Sequence, residues 1–172
     1  SDINRPKLLK FINNYKDLRF DPGYNDISYY NSTPLMEACR YQASDIALAL
    51  IATGKSNPGH ICCVDYYHNY GCTALIIACR YNMTDVIIAL IATGESKPGA
   101  QNNTGETALM IACINNNPNI ALALITTEKS NPSAQNNAGE TALMIASKNN
   151  MFDVMCALAH EQRRYAIIAM YY

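Results

Sequence analysis

The chain has 172 residues, 49% of them hydrophobic, which suits one ordinary domain or one short solenoid with a sizeable core. Its 13 basic and 14 acidic residues leave a formal net charge of -1, so no charge excess points to nucleic acid or an anionic membrane. No apolar run approaches the roughly 18 residues of a membrane span, and Ser1 to Lys10 lacks the apolar stretch of a signal peptide.

The first predicted element is a helix over Lys7-Leu-Leu-Lys-Phe-Ile-Asn-Asn-Tyr15, with Asp21-Pro22-Gly23 as the loop after it. The next begins at Thr33-Pro-Leu-Met-Glu-Ala-Cys39, followed by Arg-Tyr-Gln-Ala-Ser-Asp and a second apolar run, Ile46 to Gly54. The same phrase returns as Thr73-Ala-Leu-Ile-Ile-Ala-Cys79, again followed by Arg-Tyr and a run from Val86 to Gly94. Further copies start at Thr107-Ala-Leu-Met-Ile-Ala-Cys113 and Thr141-Ala-Leu-Met-Ile-Ala-Ser147. The last three copies are 34 residues apart, whereas the first two are 40 apart because six extra residues lie between Pro58 and Thr73. Self-similarity at such a period marks a repeat architecture.

Neither run of a copy alternates with period two, so both are predicted helices of about ten residues. Asp45, Asp85 and Asp153 stand at the start of the second run, where a helix N-terminus favours negative charge. Asn82, Asn116 and Asn150 stand at the end of the first run, and Asn tolerates the left-handed conformation that closes a helix. Pro58, Pro98 and Pro132 each follow the second run and forbid its continuation. Each unit is therefore a helix, a tight turn, a second helix and a Pro/Gly/Asn loop. Met151 to His160 is the last second helix, and the segment after it either covers the end of the array or opens a further element.

These units resemble the ankyrin repeat, whose pattern is Gly-x-Thr-Pro-Leu-His, a small-residue pair, a Gly-His turn and an apolar helix. The matching segments are Asn31 to Met36, Gly71 to Ile76, Gly105 to Met110 and Gly139 to Met144. The His of the pattern is Met or Ile throughout. The Gly-His turn is replaced by Gln42-Ala43, Asn82-Met83, Asn116-Asn117 and Asn150-Met151, and the unit is one residue longer than the usual ~33. The resemblance implies an all-α solenoid of stacked helix-turn-helix units joined by hairpin-like loops. Its expected divisions are an N-terminal half-repeat cap over 1–30, a repeat with a loop insertion over 31–70, repeats over 71–104, 105–138 and 139–161, and a cap or further element over 162–172. The Asn- and Ile-rich loops are also similar to ankyrin arrays encoded by giant viruses of protists, which would make this a host-interaction protein.

The resemblance further implies a protein partner held on the concave face. The family's variable contacts lie three and one before each repeat Thr, and seven and eight after it. In order, these positions are Tyr30, Ser32, Arg40 and Tyr41, then Tyr70, Cys72, Arg80 and Tyr81. The later repeats supply Thr104, Glu106, Ile114 and Asn115, then Ala138, Glu140, Lys148 and Asn149. Tyr29, Tyr66 and Tyr67 lie near the first two sets. Tyr and Arg dominate binding hot spots, so the first two repeats are the expected contact. The alternative is that Tyr41 and Tyr81 pack on neighbouring repeats, while Arg40 and Arg80 pair with the carbonyl end of the first helix.

The insertion carries His60, Cys62, Cys63 and His68, with Cys72 just beyond it, donors that could hold zinc. Their spacing is that of no recognised finger, and adjacent Cys62 and Cys63 point apart in an extended chain. The other reading is a long loop projecting toward a partner. No cofactor is implied. His60, His68 and His160, the three histidines, stand in no nucleophile motif, and no Gly-rich phosphate loop is present. Cys39, Cys79 and Cys113 recur at one apolar position, as small core residues in a reducing compartment, cytoplasm or nucleus. The expected function is a monomeric protein-binding module, neither an enzyme nor a nucleic-acid or membrane binder. A structural scaffold, or the substrate-recruiting part of a ubiquitin-ligase adaptor, is the alternative.

Overall fold

A computed structural model describes residues 32–62 and 71–171, and among them it contains eight helices and no strand. Four short helices open the repeats: α1 (Pro34–Arg40), α3 (Ala74–Arg80), α5 (Ala108–Ile114) and α7 (Ala142–Lys148). Each is followed by a second helix: α2 (Ser44–Ala52), α4 (Thr84–Ala92), α6 (Pro118–Ile125) and α8 (Phe152–Tyr171).

Local chemistry sets these limits. Thr33, Thr73, Thr107 and Thr141 are extended N-caps. Each hydroxyl accepts from the backbone N–H three residues on, at 3.2, 3.2, 3.2 and 3.3 Å. Each first helix ends at a left-handed residue, Gln42, Asn82, Asn116 or Asn150, with φ of 55, 53, 51 and 54°. The next N–H then reaches back to the helix, as from Ala43 to the Ala38 carbonyl at 2.9 Å and from Met83 to Ala78 at 3.0 Å. This double-bonded closure turns the chain into the second helix within two residues. The second helices stop where Thr53, Thr93 and Thr127 donate their hydroxyls to the carbonyls of Leu50, Leu90 and Leu124.

The units stack so that first helices pack on first helices in one row and second helices on second helices in another. Equivalent residues become ladders in the core. Ala38, Ala78, Ala112 and Ala146 form one, Cys39, Cys79 and Cys113 another, and Leu50, Leu90, Leu124 and Leu158 a third, all buried. Small Ala and Cys suit the close approach of the first helices, and Leu fills the space between the rows. The expected all-α repeat solenoid is what the chain forms. Among the described residues no helix is long and apolar enough to cross a membrane.

At the far end α8 runs without a break past Glu161, so the residues on both sides of the 161/162 division belong to one helix. Met144 is 51% exposed there, whereas its counterparts Ile76 and Met110 are 1% and 0% exposed, because among the described residues no first helix packs on the outer side of α7. The expected N-terminal half-repeat lies outside the described residues. So do Tyr29, Tyr30, Cys63, Tyr66, Tyr67, His68 and Tyr70.

Candidate functional site

The hairpin-like loops reach the first helices through a small hydrogen-bonded bulge. In the third repeat Asn102 N–H donates to the Glu106 carbonyl at 3.0 Å, and Gly105 N–H donates to the Asn102 carbonyl at 2.9 Å. The fourth repeat does the same with Asn136, Glu140 and Gly139, at 3.0 and 2.8 Å. Gly105 and Gly139 both have φ of 76°, the left-handed geometry such a bulge requires. The second repeat has this bulge too: Cys62 N–H donates to the Cys72 carbonyl and Gly71 N–H to the Cys62 carbonyl, both at 3.0 Å. The six extra residues therefore enter at the loop tip, between Cys62 and Gly71.

Side chains at the four expected contact positions have different fates. Arg40 is drawn inward. Its guanidinium donates to Ser32 Oγ at 2.9 Å and pairs with Glu37, and it lies 3.8 Å from Cys62 Sγ. Only 13% of its side chain is exposed, so it braces the first repeat to its own loop and to the next. Lys148 repeats this geometry by pairing with Glu140, the residue eight before it, just as Ser32 is eight before Arg40. That contact, helped by Asn136, holds the Glu140 carboxyl below its usual range.

The two central repeats lack the brace for simple chemical reasons. Arg80 has Cys72, a weak acceptor, at the place of Ser32, and Ile77 at the place of Glu37. Ile114 has nothing to offer Glu106, which instead accepts from Asn102 Nδ2 at 3.0 Å and Thr104 Oγ1 at 2.8 Å. Arg80 is half-buried and Ile114 is 47% exposed.

Tyr41 and Tyr81 are the C-cap residues of α1 and α3, and their backbone N–H groups are held by Glu37 and Ile77 carbonyls. They are 37% and 39% exposed at matching places in consecutive repeats. In the next two repeats the same position is Asn. Asn115 Nδ2 donates to the Cys79 carbonyl and Asn149 Nδ2 to the Cys113 carbonyl, both at 2.8 Å. These amides cap the preceding repeat's first helix and tie repeat to repeat, so the donor of Asn115 is engaged within the stack. Glu106 is likewise engaged in its own loop. The first-helix edge also carries the partly exposed Tyr41, Arg80, Tyr81 and Ile114.

Of the candidate metal donors, His60 is half-buried, while Cys62 and Cys72 are buried at the base of the loop. Among the described residues no group of three or more His, Cys, Asp or Glu is placed to hold a metal ion. Burial pushes the thiols of Cys39 and Cys113 up to about 12 and raises that of Cys79 further, which keeps all three protonated and unreactive. On the second-helix side, a cleft of about 200 Å³ lies between Ile91, Gly94, Ser96, Thr126, Thr127 and Lys129. It is smaller than the ~300 Å³ at which small-molecule sites begin.

A family model for ankyrin repeats (3 copies) matches residues 4–98 and 87–167. A search of curated proteins finds no match.

Proposed function

The chain belongs to the ankyrin repeat family, whose members are generally protein–protein interaction modules, and from that premise we propose that it binds a partner protein on its concave face, mainly through the first two repeats. The carrying observation is the pair Tyr41 and Tyr81. Two large aromatic rings stand 37% and 39% exposed at equivalent helix ends, on backbone that is already fixed by capping bonds. Their repeats stack directly, on first helices whose axes lie about 8–10 Å apart. Rigid, amphipathic side chains on a rigid scaffold lose little entropy on binding and bury much area. Arg80 lies in sequence beside Tyr81 and supplies a cation to the same edge. Tyr30, Tyr66, Tyr67 and Tyr70 would extend the surface from the loops.

The same face would serve a scaffold or the substrate-recruiting part of a ubiquitin-ligase adaptor. What separates the two is whether the bound protein is held or turned over. A giant-virus source would make the partner a host protein in the cytoplasm, the reducing compartment that the unpaired core thiols suit.

The test compares wild type, Tyr41→Ala/Tyr81→Ala and Ile88→Ala. Ile88 is 53% exposed on the second-helix row and serves as the control. A protein captured by wild type and by Ile88→Ala is purified and its affinity measured for all three. Loss of two hot-spot side chains, each worth ~2 kcal/mol or more, weakens binding at least 100-fold in the double variant. Helical circular dichroism stays unchanged. Equal affinity of wild type and double variant rules the tyrosine surface out.

A further inference from the structure

We infer that Cys62 and Cys72 form a reversible disulfide site that closes the inserted loop at its base. Both residues sit in the bulge described above, where Cys62 faces the Gly71–Cys72 pair: its N–H donates to the Cys72 carbonyl and its own carbonyl accepts from Gly71, both at 3.0 Å. Paired antiparallel backbones lie about 4.7–4.9 Å apart, within the roughly 4.4–6.8 Å between Cα atoms that a disulfide needs. The other repeats show where side chains at these two places point. Asn102 Nδ2 reaches Glu106 Oε2 at 3.0 Å, and Asn136 Nδ2 reaches Glu140 Oε2 at 3.1 Å. In both repeats the side chains meet on the same side of the loop. The second repeat puts a thiol at each of these positions, 1% and 0% exposed.

A third feature is a contact from the first repeat. The Arg40 guanidinium donates to the Cys62 sulfur at 3.8 Å and so fixes that side chain at the loop base. Cys39, Cys79 and Cys113 stand one to a repeat along the buried ladder of first helices, as free thiols. Cys156 is exposed on α8, at the other end of the stack.

The oxidant is a small-molecule disulfide of the glutathione type. The Cys62 thiolate attacks one of its sulfurs, forms a mixed disulfide and releases one thiolate, which takes up a proton. The Cys72 thiolate then attacks the Cys62 sulfur and releases the second small thiol. One small disulfide is reduced to two thiols, and the protein loses two hydrogens. Burial of both sulfurs makes the first attack wait on local opening of the loop base. The product ties residues 63–70 into a covalent ring whose ends are held by α1 through Arg40 and by α3 through Cys72.

The test exposes the whole chain to oxidised glutathione, alkylates the remaining thiols, and maps cross-links by tandem mass spectrometry that separates Cys62 from Cys63. Wild type gains one internal bridge, Cys62 to Cys72, which dithiothreitol removes. Cys63→Ser keeps the bridge. Cys72→Ser has no bridge and instead holds glutathione on Cys62. The thermal midpoint of wild type rises by several degrees on oxidation, and that of Cys72→Ser does not. The inference is overturned by a bridge that survives in Cys72→Ser or disappears in Cys63→Ser. It is equally overturned when oxidant modifies Cys156 while Cys62 and Cys72 remain thiols.

Discussion

Thr107→Val tests the capping logic on which the stack is built, and Thr141→Val supplies its control. Both substitutions keep the side-chain shape and remove one hydroxyl. Thr107 accepts the Met110 N–H at 3.2 Å, and both residues are 0% exposed. Without the hydroxyl that N–H has no water to turn to. Loss of an N-cap costs about 1–2 kcal/mol, and a buried donor left unsatisfied costs about 1–3 kcal/mol, two overlapping measures of the same lost bond. About 2 kcal/mol is therefore expected for Thr107→Val. In a chain of this size that lowers the thermal midpoint by about 4–8 °C. Thr141 makes the same bond to Met144 at 3.3 Å, but Met144 is 51% exposed and Thr141 only half-buried. Water can replace the lost hydroxyl there, so about 0.5 kcal/mol or less is expected. Urea titrations give both values, provided that the slope of each transition is unchanged. Amide exchange at Met110 and Met144 locates the effect. Equal costs at the two sites would refute the claim that burial of the capped N–H sets the price. A negligible cost at Thr107 would refute the importance of the cap itself.

Two further outcomes follow from bonds and thiols between repeats. Asn115→Ala, which removes the bond to the Cys79 carbonyl, is expected to destabilise by about 1 kcal/mol. Asn115→Asp is expected to cost more than the alanine at neutral pH, because a carboxylate then faces a carbonyl; urea midpoints that rank the alanine as the worse variant contradict the assignment of that amide. The raised thiols of Cys39 and Cys113 predict alkaline lability. Unfolded, each loses its proton near pH 9.0, whereas folded each holds it to about 12. The native state therefore binds more protons above pH 9, and stability that is complete below that pH falls as pH rises, by at most about 1.4 kcal/mol per unit for each thiol. Urea midpoints measured from pH 8 to 10.5 should fall less steeply in Cys39→Ala/Cys113→Ala than in wild type, and parallel slopes would discard the burial account.

Sequence made the fold readable because the repeat is carried by single-residue chemistry. Thr-Ala-Leu-Met-Ile-Ala at a 34-residue period needs no contact map, and Asn at the turn announces its left-handed backbone directly, as its φ near 50° bears out. The contact surface was less readable, since exposure there depends on pairs of positions. Arg40 and Arg80 have identical sequence neighbours on either side, Cys before and Tyr after. One is spent and the other is not, because Ser32 and Glu37 accept from Arg40 where the second repeat has Cys72 and Ile77. The clue was present: the residue seven after each Thr and the residue one before it read Arg/Ser, Arg/Cys, Ile/Glu and Lys/Glu. Two of these pairs are complementary, at the ends of the array, and two are not, in the middle. Four aligned repeats thus contain their own double-mutant comparison.

That comparison also says why the tyrosines are placed where they are. The position eight after each Thr sits beside the C-terminal carbonyls of the preceding first helix, and Asn there reaches back 36 residues to cap them. A tyrosine at this position cannot make the amide's bond in the same geometry, since its one polar atom lies at the far end of a rigid ring. Tyr81 therefore gives up a link to the first repeat that Asn115 and Asn149 make to theirs. Giving up about 1 kcal/mol of stacking at this place is an odd choice for a residue that only packs, and a reasonable one for a residue that binds. The reasoning is checkable with one substitution. Tyr81→Asn should restore the link to the Cys39 carbonyl and raise the urea midpoint while weakening the partner. A variant that is less stable than wild type would mean that the ring of Tyr81 is itself part of the packing between the first two repeats.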